Sequence, residues 1–211
     1  MNPTGRRADA ADNRDRIIQA ARAVIANADE IKLNAIAKQA GVGQGTLYRH
    51  FPTREALLIE VYREEVDELV AVAPALLGEH EPLTALARWF DRVVDYAQVK
   101  RGVFAAVEAS VWQGLAAHSL GPIGDALTTF LDAGKADGTI RSDVDARDVI
   151  LLTGYLTRLE ETEWDSRARH LLRIVLDGVR RRVEPEDSRP HPQVTDREDE
   201  TLRGETPGDD G

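Results

Sequence analysis

A cluster of hydrogen-bonding side chains lies in the glycine-rich segment 33–51, whose sequence is LNAIAKQAGVGQGTLYRHF. Gln44 can pair with the edge of an adenine, and the methyl group of Thr46 can contact a thymine methyl. The side chains of this segment that can donate hydrogen bonds to phosphate oxygens are those of Tyr48, Arg49 and His50. These residue types, so close together, are typical of a surface that binds nucleic acid.

The apolar residues of the same segment predict how those polar groups are positioned. They recur at helical intervals, first as Leu33, Ile36, Ala37 and Ala40, and then as Leu47 and Phe51. Gly41 stands where a helix C-terminus favours a residue that tolerates left-handed backbone angles, so the first helix should end there. Val42 should fill the angle between the helices. Gly45 has no side chain, so the backbone there can approach another molecule closely.

The motifs of this region resemble a known signature. Ile36-Ala37, Ala40-Gly41-Val42, Gly45-Thr46-Leu47-Tyr48, His50-Phe51 and Arg54-Glu55-Ala56-Leu57 resemble the N-terminal signature of TetR-family transcriptional regulators. The resemblance covers about the first quarter of the chain closely, and the remainder only as an all-helical pattern of the family's length. A generic helical hairpin is the alternative interpretation. A phosphate-binding loop at the glycines is a weaker alternative, because no strand precedes it.

The resemblance implies a protein that binds a palindromic double-stranded DNA operator as a homodimer, with a small-molecule effector that relieves repression. It also implies roles for individual residues. Gln44 and Thr46 would contact bases, Gly45 would permit close approach, and the phosphates would be held by Tyr48, His50 and Arg54. Arg49 is placed on the same surface.

Lys32 departs from the family pattern, which usually has Ser or Thr just before this helix. A lysine side chain cannot accept hydrogen bonds from the first backbone N–H groups, and its charge is unfavourable at a helix N-terminus. Two interpretations stay open. Lys32 either contacts a DNA phosphate in place of a cap, or follows a frayed first turn with its side chain in solvent.

Helical periodicity along the whole chain predicts an all-α protein. Its fold class is an N-terminal three-helix helix-turn-helix DNA-binding domain plus a C-terminal helical ligand-binding and dimerisation bundle. We expect a disordered arm at residues 1–12, the DNA-binding domain at 13–52, the regulatory domain at 53–183 and an acidic disordered tail at 184–211. Thr53 should cap the fourth helix, which Pro74 should kink or end. Further helices are expected. One covers residues 103–112, one ends at Gly138, one begins at Asp145 and one begins at about residue 165.

The last two helices have apolar faces wider than a monomer needs, which predicts a dimer through a four-helix bundle across a twofold axis. The expected interface residues are Leu151, Leu152, Tyr155, Leu159, Leu171, Leu172, Val175 and Leu176. A dimer also has a mechanistic consequence. Two reading helices held at a fixed distance can recognise a palindrome, whereas one short helix contacts too few bases to be specific.

Aromatic residues of the fourth and the middle helices predict an effector pocket that faces inward. They are Tyr62, Trp89, Phe90, Tyr96, Phe104, Trp112 and Phe130. Such a pocket would take a hydrophobic or aromatic ligand. Aromatic residues at helical spacing are also typical of an ordinary core, and the sequence alone leaves both interpretations open.

The charge of the chain is distributed unevenly. The formal net charge is −10, but residues 184–211 contain ten acidic residues and three arginines, whereas residues 1–60 contain nine basic and seven acidic residues. The N-terminal region is therefore only mildly basic. We expect modest non-specific affinity for DNA and a reliance on a few well-placed contacts.

Several classes of protein are disfavoured by the sequence. The absence of cysteine excludes a disulfide framework and a thiolate metal site. No secretory signal or membrane-spanning run is recognisable, so we expect a cytoplasmic location and no membrane partner. No residue pattern predicts an enzyme, a metal site or a cofactor. The alternative functions are a helical dimeric ligand-binding protein without specific DNA binding and, less favoured, a dimeric interaction scaffold.

Overall fold

Apolar residues at helical spacing are separated by short polar connections along most of the chain. The computed structural model describes residues 3–27 and 31–182, which form eight α-helices. They are α1 (Pro3–Asn27), α2 (Leu33–Gln39), α3 (Gln44–His50), α4 (Arg54–Glu79), α5 (Pro82–Ala106), α6 (Ala109–Ala136), α7 (Ala146–Thr153) and α8 (Glu161–Val179). A 3₁₀ helix, Gly154–Arg158, follows α7. The predicted all-α fold is confirmed.

The first helix begins ten residues earlier than its apolar residues indicate. α1 starts at Pro3, so the expectation of a disordered arm at residues 1–12 is wrong for residues 3–12. This stretch lacks an apolar stripe but is rich in alanine and arginine, which favour helix without burial. The guanidinium of Arg16 also lies 3.3 Å from the carboxylate of Asp12, one helical turn away.

α4 is one continuous helix. Its N-terminus is capped as expected, because the hydroxyl of Thr53 accepts a hydrogen bond from the Ala56 N–H at 3.0 Å. Pro74 lies inside the helix and does not end it. α4 packs against α5 and α6, and α1 contacts both α4 and α5. α1 crosses α5 closely at Gly102, where a Cβ atom would lie 2.4 Å from the Cγ2 of Ile25.

The predicted helix at 103–112 is wrong. α5 continues to Ala106 and α6 begins at Ala109, with Val107 and Glu108 in extended conformations between them. No proline or glycine occurs at residues 103–112, so the sequence contains no local signal for this break.

The C-terminal helices begin and end largely at residues that their sequence indicates. Gly138 has φ +80° and follows the end of α6 as expected. Asp145 and Asp148 form a reciprocal capping box at the start of α7. α8 begins at Glu161, slightly before the expected residue 165.

The described residues up to Arg181 form one compact unit. The domain boundary expected near residue 53 falls just before α4, within that unit. None of the described helices has the length and apolar character needed to cross a bilayer. The predicted acidic tail at 184–211 lies outside the described residues.

Candidate nucleic-acid interface and effector region

The turn between α2 and α3 is held by backbone hydrogen bonds at a left-handed glycine. Gly41 has φ +66° and donates its N–H to the carbonyl of Lys38 at 3.2 Å, and Val42 donates to the carbonyl of Ala37 at 3.0 Å. This pair of bonds is a Schellman motif, which satisfies carbonyls that the end of a helix leaves without partners. The turn therefore fixes the direction in which α3 leaves α2.

Two apolar anchors attach α3 to the protein. Leu47 and Phe51 are buried, whereas Gln44 and Gly45 are exposed and Tyr48 has an exposed fraction of 49%. Because α3 is only seven residues long, burying one face leaves the opposite face available. The helix therefore presents the polar side chains that its sequence predicts.

A cleft of about 450 Å³ separates the start of α2 from the start of α3. It brings together four of the residues expected to contact DNA: Lys32, Gln44, Tyr48 and Arg54. These residues come from three different places in the chain, and only the fold places them on one surface. All four are exposed.

The other expected DNA-binding residues lie beside this cleft rather than in its lining. Arg49 donates from Nε to the Gly45 carbonyl at 3.1 Å and from a terminal nitrogen to the Thr46 hydroxyl at 2.9 Å. His50 is half-buried, with its ring centroid 6.4 Å from that of Phe51. A Cβ atom at Gly45 would meet no neighbour within 4 Å, so the backbone there is open to an approaching molecule.

Asn34 is a cleft residue that the sequence interpretation missed. Its Oδ1 accepts a hydrogen bond from the Ala35 N–H at 2.9 Å. The Lys32 side chain makes no capping hydrogen bond, although its carbonyl accepts from Ala35 and Ile36. Asn34 thus supplies a side-chain acceptor to the first turn of α2. A short polar residue this close to an uncapped helix start is the signal that could have identified it.

Ion pairs between α1 and α4 support the helix-turn-helix from behind. Arg14 pairs with Glu60 and, at 2.8 Å, with Glu64. Arg22 lies 2.7 Å from Glu65 and 2.8 Å from Glu68. Burial raises the pKa of Glu65, and the positive charge of Arg22 opposes that rise. The guanidinium of Arg14 also lies 5.9 Å from the centroid of the Phe51 ring.

Six of the seven aromatic residues expected to line an effector pocket fall into two groups, and Phe104 belongs to neither. In the first, Trp89 and Phe130 are fully buried with ring centroids 5.6 Å apart, and Trp89 donates to the Leu69 carbonyl at 2.8 Å. These two are packed as core side chains are. Phe90 is buried beside Trp89 and borders a separate groove of about 500 Å³ between α5 and α8.

The second group consists of Tyr62, Tyr96 and Trp112, and it lies around three hydroxyls. The Tyr62 hydroxyl is 3.0 Å from the Tyr96 hydroxyl and 2.8 Å from the Ser119 hydroxyl. The rings of Tyr62 and Trp112 meet edge to face at 5.4 Å. Tyr62 and Ser119 also line a small cavity of about 80 Å³.

The expectation that Phe104 faces inward is wrong, because 55% of its side chain is exposed. The inward position on this turn of α5 is taken by its neighbour Val103, which is fully buried, and adjacent helical residues point about 100° apart. The Phe104 ring covers Trp112 from outside, with centroids 5.2 Å apart.

The expected dimer surface is largely exposed in the single chain. Leu151, Leu152 and Tyr155 have exposed fractions of 58%, 59% and 67%. Partly buried residues of the same prediction are Leu159, Leu171, Val175 and Leu176. Leu172 does not fit the predicted dimer surface, because it is buried within its own chain. Together with Trp164 and Ala168, at four-residue intervals, it forms the inward face of α8. Ile174, which is exposed on α8, was not in the predicted set.

Two family models match separate parts of the chain. "Bacterial regulatory proteins, tetR family" matches residues 17–61, and "Transcriptional regulator SbtR-like, C-terminal domain" matches residues 81–181. A solved TetR transcriptional regulator from Streptomyces coelicolor is 40% identical, with a TM-score of 0.71, over 81% of this chain and 99% of that chain. The chain belongs to the TetR family.

Two further similar proteins show how the similarity is distributed along the chain. A TetR transcription regulatory protein from Mycobacterium vanbaalenii is 31% identical over 83% of this chain and 99% of its own, with a TM-score of 0.62. An HTH-type transcriptional regulator from Staphylococcus aureus is 40% identical over 63 residues, which is 29% of this chain. The match spans about a third of the length of these curated relatives.

Proposed function

We propose that this TetR-family protein is a ligand-responsive repressor that binds a palindromic DNA operator as a homodimer. The observation that carries the proposal is the exposed cleft at the helix-turn-helix, which gathers Lys32, Gln44, Tyr48 and Arg54. Side chains with both base-pairing and phosphate-binding chemistry share one open surface there. A protein that binds chromosomal DNA in a bacterium works in the cytoplasm, and we propose that location.

The residue roles in DNA binding follow from this surface. Gln44 and Thr46 read base edges, and the exposed backbone at Gly45 allows α3 to enter the major groove closely. Arg49 holds the Thr46 hydroxyl, so it orients a base-reading group. The phosphates are held by Tyr48, His50, Arg54 and Lys32.

We propose that the homodimer forms through the exposed apolar residues of α7, the 3₁₀ helix and α8. Leu151, Leu152 and Tyr155 are a cluster of large apolar side chains in contact with water, which monomeric proteins seldom present. Association through a twofold axis would bury this surface on both copies. It would also fix the distance between the two α3 helices and therefore the half-site spacing.

A single substitution tests the dimer. Leu152→Glu should convert the protein to a monomer in sedimentation velocity, because two carboxylates would meet near the axis. Leu120→Glu is the matched control, since Leu120 is also exposed but lies on α6 and not on α7, the 3₁₀ helix or α8. Dissociation by both variants, or by neither, would contradict the proposed interface.

We propose that the effector binds among α4, α5 and α6 beside the aromatic residues Tyr62, Tyr96 and Trp112. Their apolar rings and hydroxyls suit a hydrophobic or aromatic ligand. α4 extends from this region to the helix-turn-helix, so a ligand that favours one position of α4 changes the separation of the reading helices. The ligand acts only through its different affinities for the two states.

Selection on random double-stranded DNA tests the proposed function directly. The purified full chain is incubated with the library at moderate salt, and the retained sequences are determined. A palindromic motif whose retention falls with salt supports the regulator. Retention of no motif by a folded dimer would overturn it and favour a helical ligand-binding protein whose helix-turn-helix is only structural.

A further inference from the structure

Lys100 places a positive charge among the aromatic residues of the second group. Its Nζ lies 5.6 Å from the ring centroid of Tyr96 and 5.8 Å from that of Trp112. The Tyr96 ring is in turn 6.0 Å from the ring of Tyr62. The ammonium group therefore lies beside two of the side chains that we assign to the effector region, Tyr96 and Trp112.

The charge of Lys100 is not balanced within the described part of the chain. Among the side chains that the structure describes, no carboxylate lies within 4.0 Å of its Nζ and no acceptor takes a hydrogen bond from it. The side chain is half-buried, and burial lowers the pKa of its ammonium group. Cation–π contacts offset only part of the cost of removing a charge from water. An anion would complete this environment.

The neighbouring hydroxyls are already hydrogen-bonded to one another. The Ser119 hydroxyl also lies 3.1 Å from the Ala116 carbonyl, and when it donates there, Tyr62 donates to Ser119 and Tyr96 donates to Tyr62. In that arrangement each of the three hydroxyls uses its single proton within the group. Lys100 supplies three N–H donors beside this group, and these are available to an oxyanion.

We propose that Lys100 is the anchor of the effector site and that the effector is an organic acid, with one carboxylate and an apolar body. The carboxylate would pair with the ammonium of Lys100, and the body would pack against Tyr62, Tyr96 and Trp112. This inference rests on the proposed effector region, and it adds the chemical class of the ligand and the residue that selects it.

The structure also indicates where such an acid enters. The cavity beside Tyr62 and Ser119 holds only about 80 Å³, less than a ligand with an apolar body requires. Trp112 is half-buried and is covered from outside by the exposed ring of Phe104. Both residues lie close to the break between α5 and α6, so their displacement would open the site toward Lys100.

The binding experiment compares acids with neutral molecules of the same shape. Calorimetry on the purified full chain without DNA measures 4-phenylbutyrate against 4-phenylbutyramide, and decanoate against decanamide. We expect at least one acid to bind with a Kd below about 1 mM, and its amide to bind at least about tenfold more weakly. Equal binding of acid and amide, or no binding of either acid below that limit, overturns the proposal.

Substitutions assign the selectivity to Lys100. Lys100→Met should weaken binding of the acid about tenfold or more and leave the amide unchanged, whereas Lys100→Arg should retain the preference for acids. Lys135→Met is the matched control, because Lys135 is a half-buried lysine near the far end of α6. Equal acid affinity for Lys100→Met and the parent chain overturns the assignment, and melting curves verify that each variant is folded.

Release from DNA is measured separately, so that the two proposals fail in different ways. If the DNA selection yields no motif but the acids bind through Lys100, the repressor proposal fails and the acid site stands. If a motif is found and the acid binds through Lys100 but does not release the protein from it, the site binds acids but the effector role is overturned.

Discussion

The polar side chains of the helix-turn-helix surround an open cleft, whereas those between α4, α5 and α6 are bonded to one another inside the protein. Gln44 and Tyr48 face solvent. Tyr62, Tyr96 and Ser119 form a closed chain of hydroxyls, and Ser119 has an exposed fraction of only 2%. The first region can contact a large, rigid partner without rearrangement, but the second has to open before it can admit one.

This difference suits the two kinds of binding site that we propose. A surface that binds DNA gains from preorganisation, because few side chains lose freedom when the complex forms. A site whose occupation changes the conformation of the protein gains from being closed in the absence of ligand, because its ligand then favours the open state. The ion pairs of Arg14 and Arg22 connect the two regions through α1 and α4.

The largest expected effect concerns that connection. Arg22→Met should lower the free energy of unfolding by about 3 kcal/mol, because it removes the cation that pairs directly with the largely buried carboxylate of Glu65. Arg63→Met is the matched control. Arg63 is exposed and lies 3.7 Å from Glu60 on the same helix. Arg63→Met should therefore lower the free energy of unfolding by less than about 0.5 kcal/mol. Urea unfolding of both variants measures the difference, and similar losses would contradict a specific connection through Arg22.

The cost of Arg22→Met should depend on pH. Burial already raises the pKa of Glu65 above 4.5 in the folded chain, and loss of Arg22 raises it further. The folded variant therefore binds a proton more readily than its unfolded form. The loss in free energy of unfolding relative to the parent chain should therefore be full at neutral pH. It should shrink as the pH falls through the raised pKa of Glu65 toward 4.5. A deficit that stays constant over this range would exclude Glu65 as the cause.

The next largest effect tests the open cleft itself. Gln44→Ala should weaken binding to the selected operator by about 1 to 3 kcal/mol and leave random DNA nearly unaffected, because we propose that Gln44 contacts a base. Tyr48→Phe should weaken both alike, since its hydroxyl is assigned to a phosphate. Fluorescence anisotropy with operator and scrambled duplexes measures both variants. Equal losses on the two duplexes for Gln44→Ala would remove its role in specificity.

The rigidity of the helix-turn-helix is tested by two glycines in different environments. Gly41→Ala should cost about 1 kcal/mol of stability, because φ +66° is strained for any residue with a Cβ atom. Gly45→Ala should instead raise stability by about 0.5 kcal/mol or more, since it lies within α3 with open space around it. Thermal unfolding compares them. A gain in stability for Gly41→Ala would show that the turn is not fixed as described.

The two regions also differ in how much their sequence predicts. Gly41, Leu47 and Phe51 act within about ten residues of one another, so local spacing was sufficient to predict the turn and the face of α3. Phe104 was assigned to the wrong side because its environment depends on where α5 ends. That end carries no local signal, and the distinction between Val103 and Phe104 arises from packing against distant helices.

Other features depended on contacts that no periodicity contains. The position of Leu172 follows from the packing of α8 against α5, although the same apolar pattern fits a dimer face equally well. Lys100 carries no motif, and only the fold places Tyr96 and Trp112 beside it. The early start of α1 was missed because alanine and arginine can extend a helix without any buried stripe.

The smallest expected effect decides between the two interpretations of Lys32. Lys32→Ser should raise the free energy of unfolding by about 0.5 to 1 kcal/mol. The Lys32 side chain makes no capping hydrogen bond, whereas a serine side chain at this position can accept a hydrogen bond from an N–H group at the start of α2. If Lys32 holds a phosphate, the same change should weaken binding to the operator and random duplexes equally. It should also lower the slope of log K against log salt concentration by the amount expected for about one phosphate contact. A gain in stability with unchanged affinity and salt dependence would show that Lys32 is only a poor cap, and that the cleft binds DNA through Gln44, Tyr48 and Arg54.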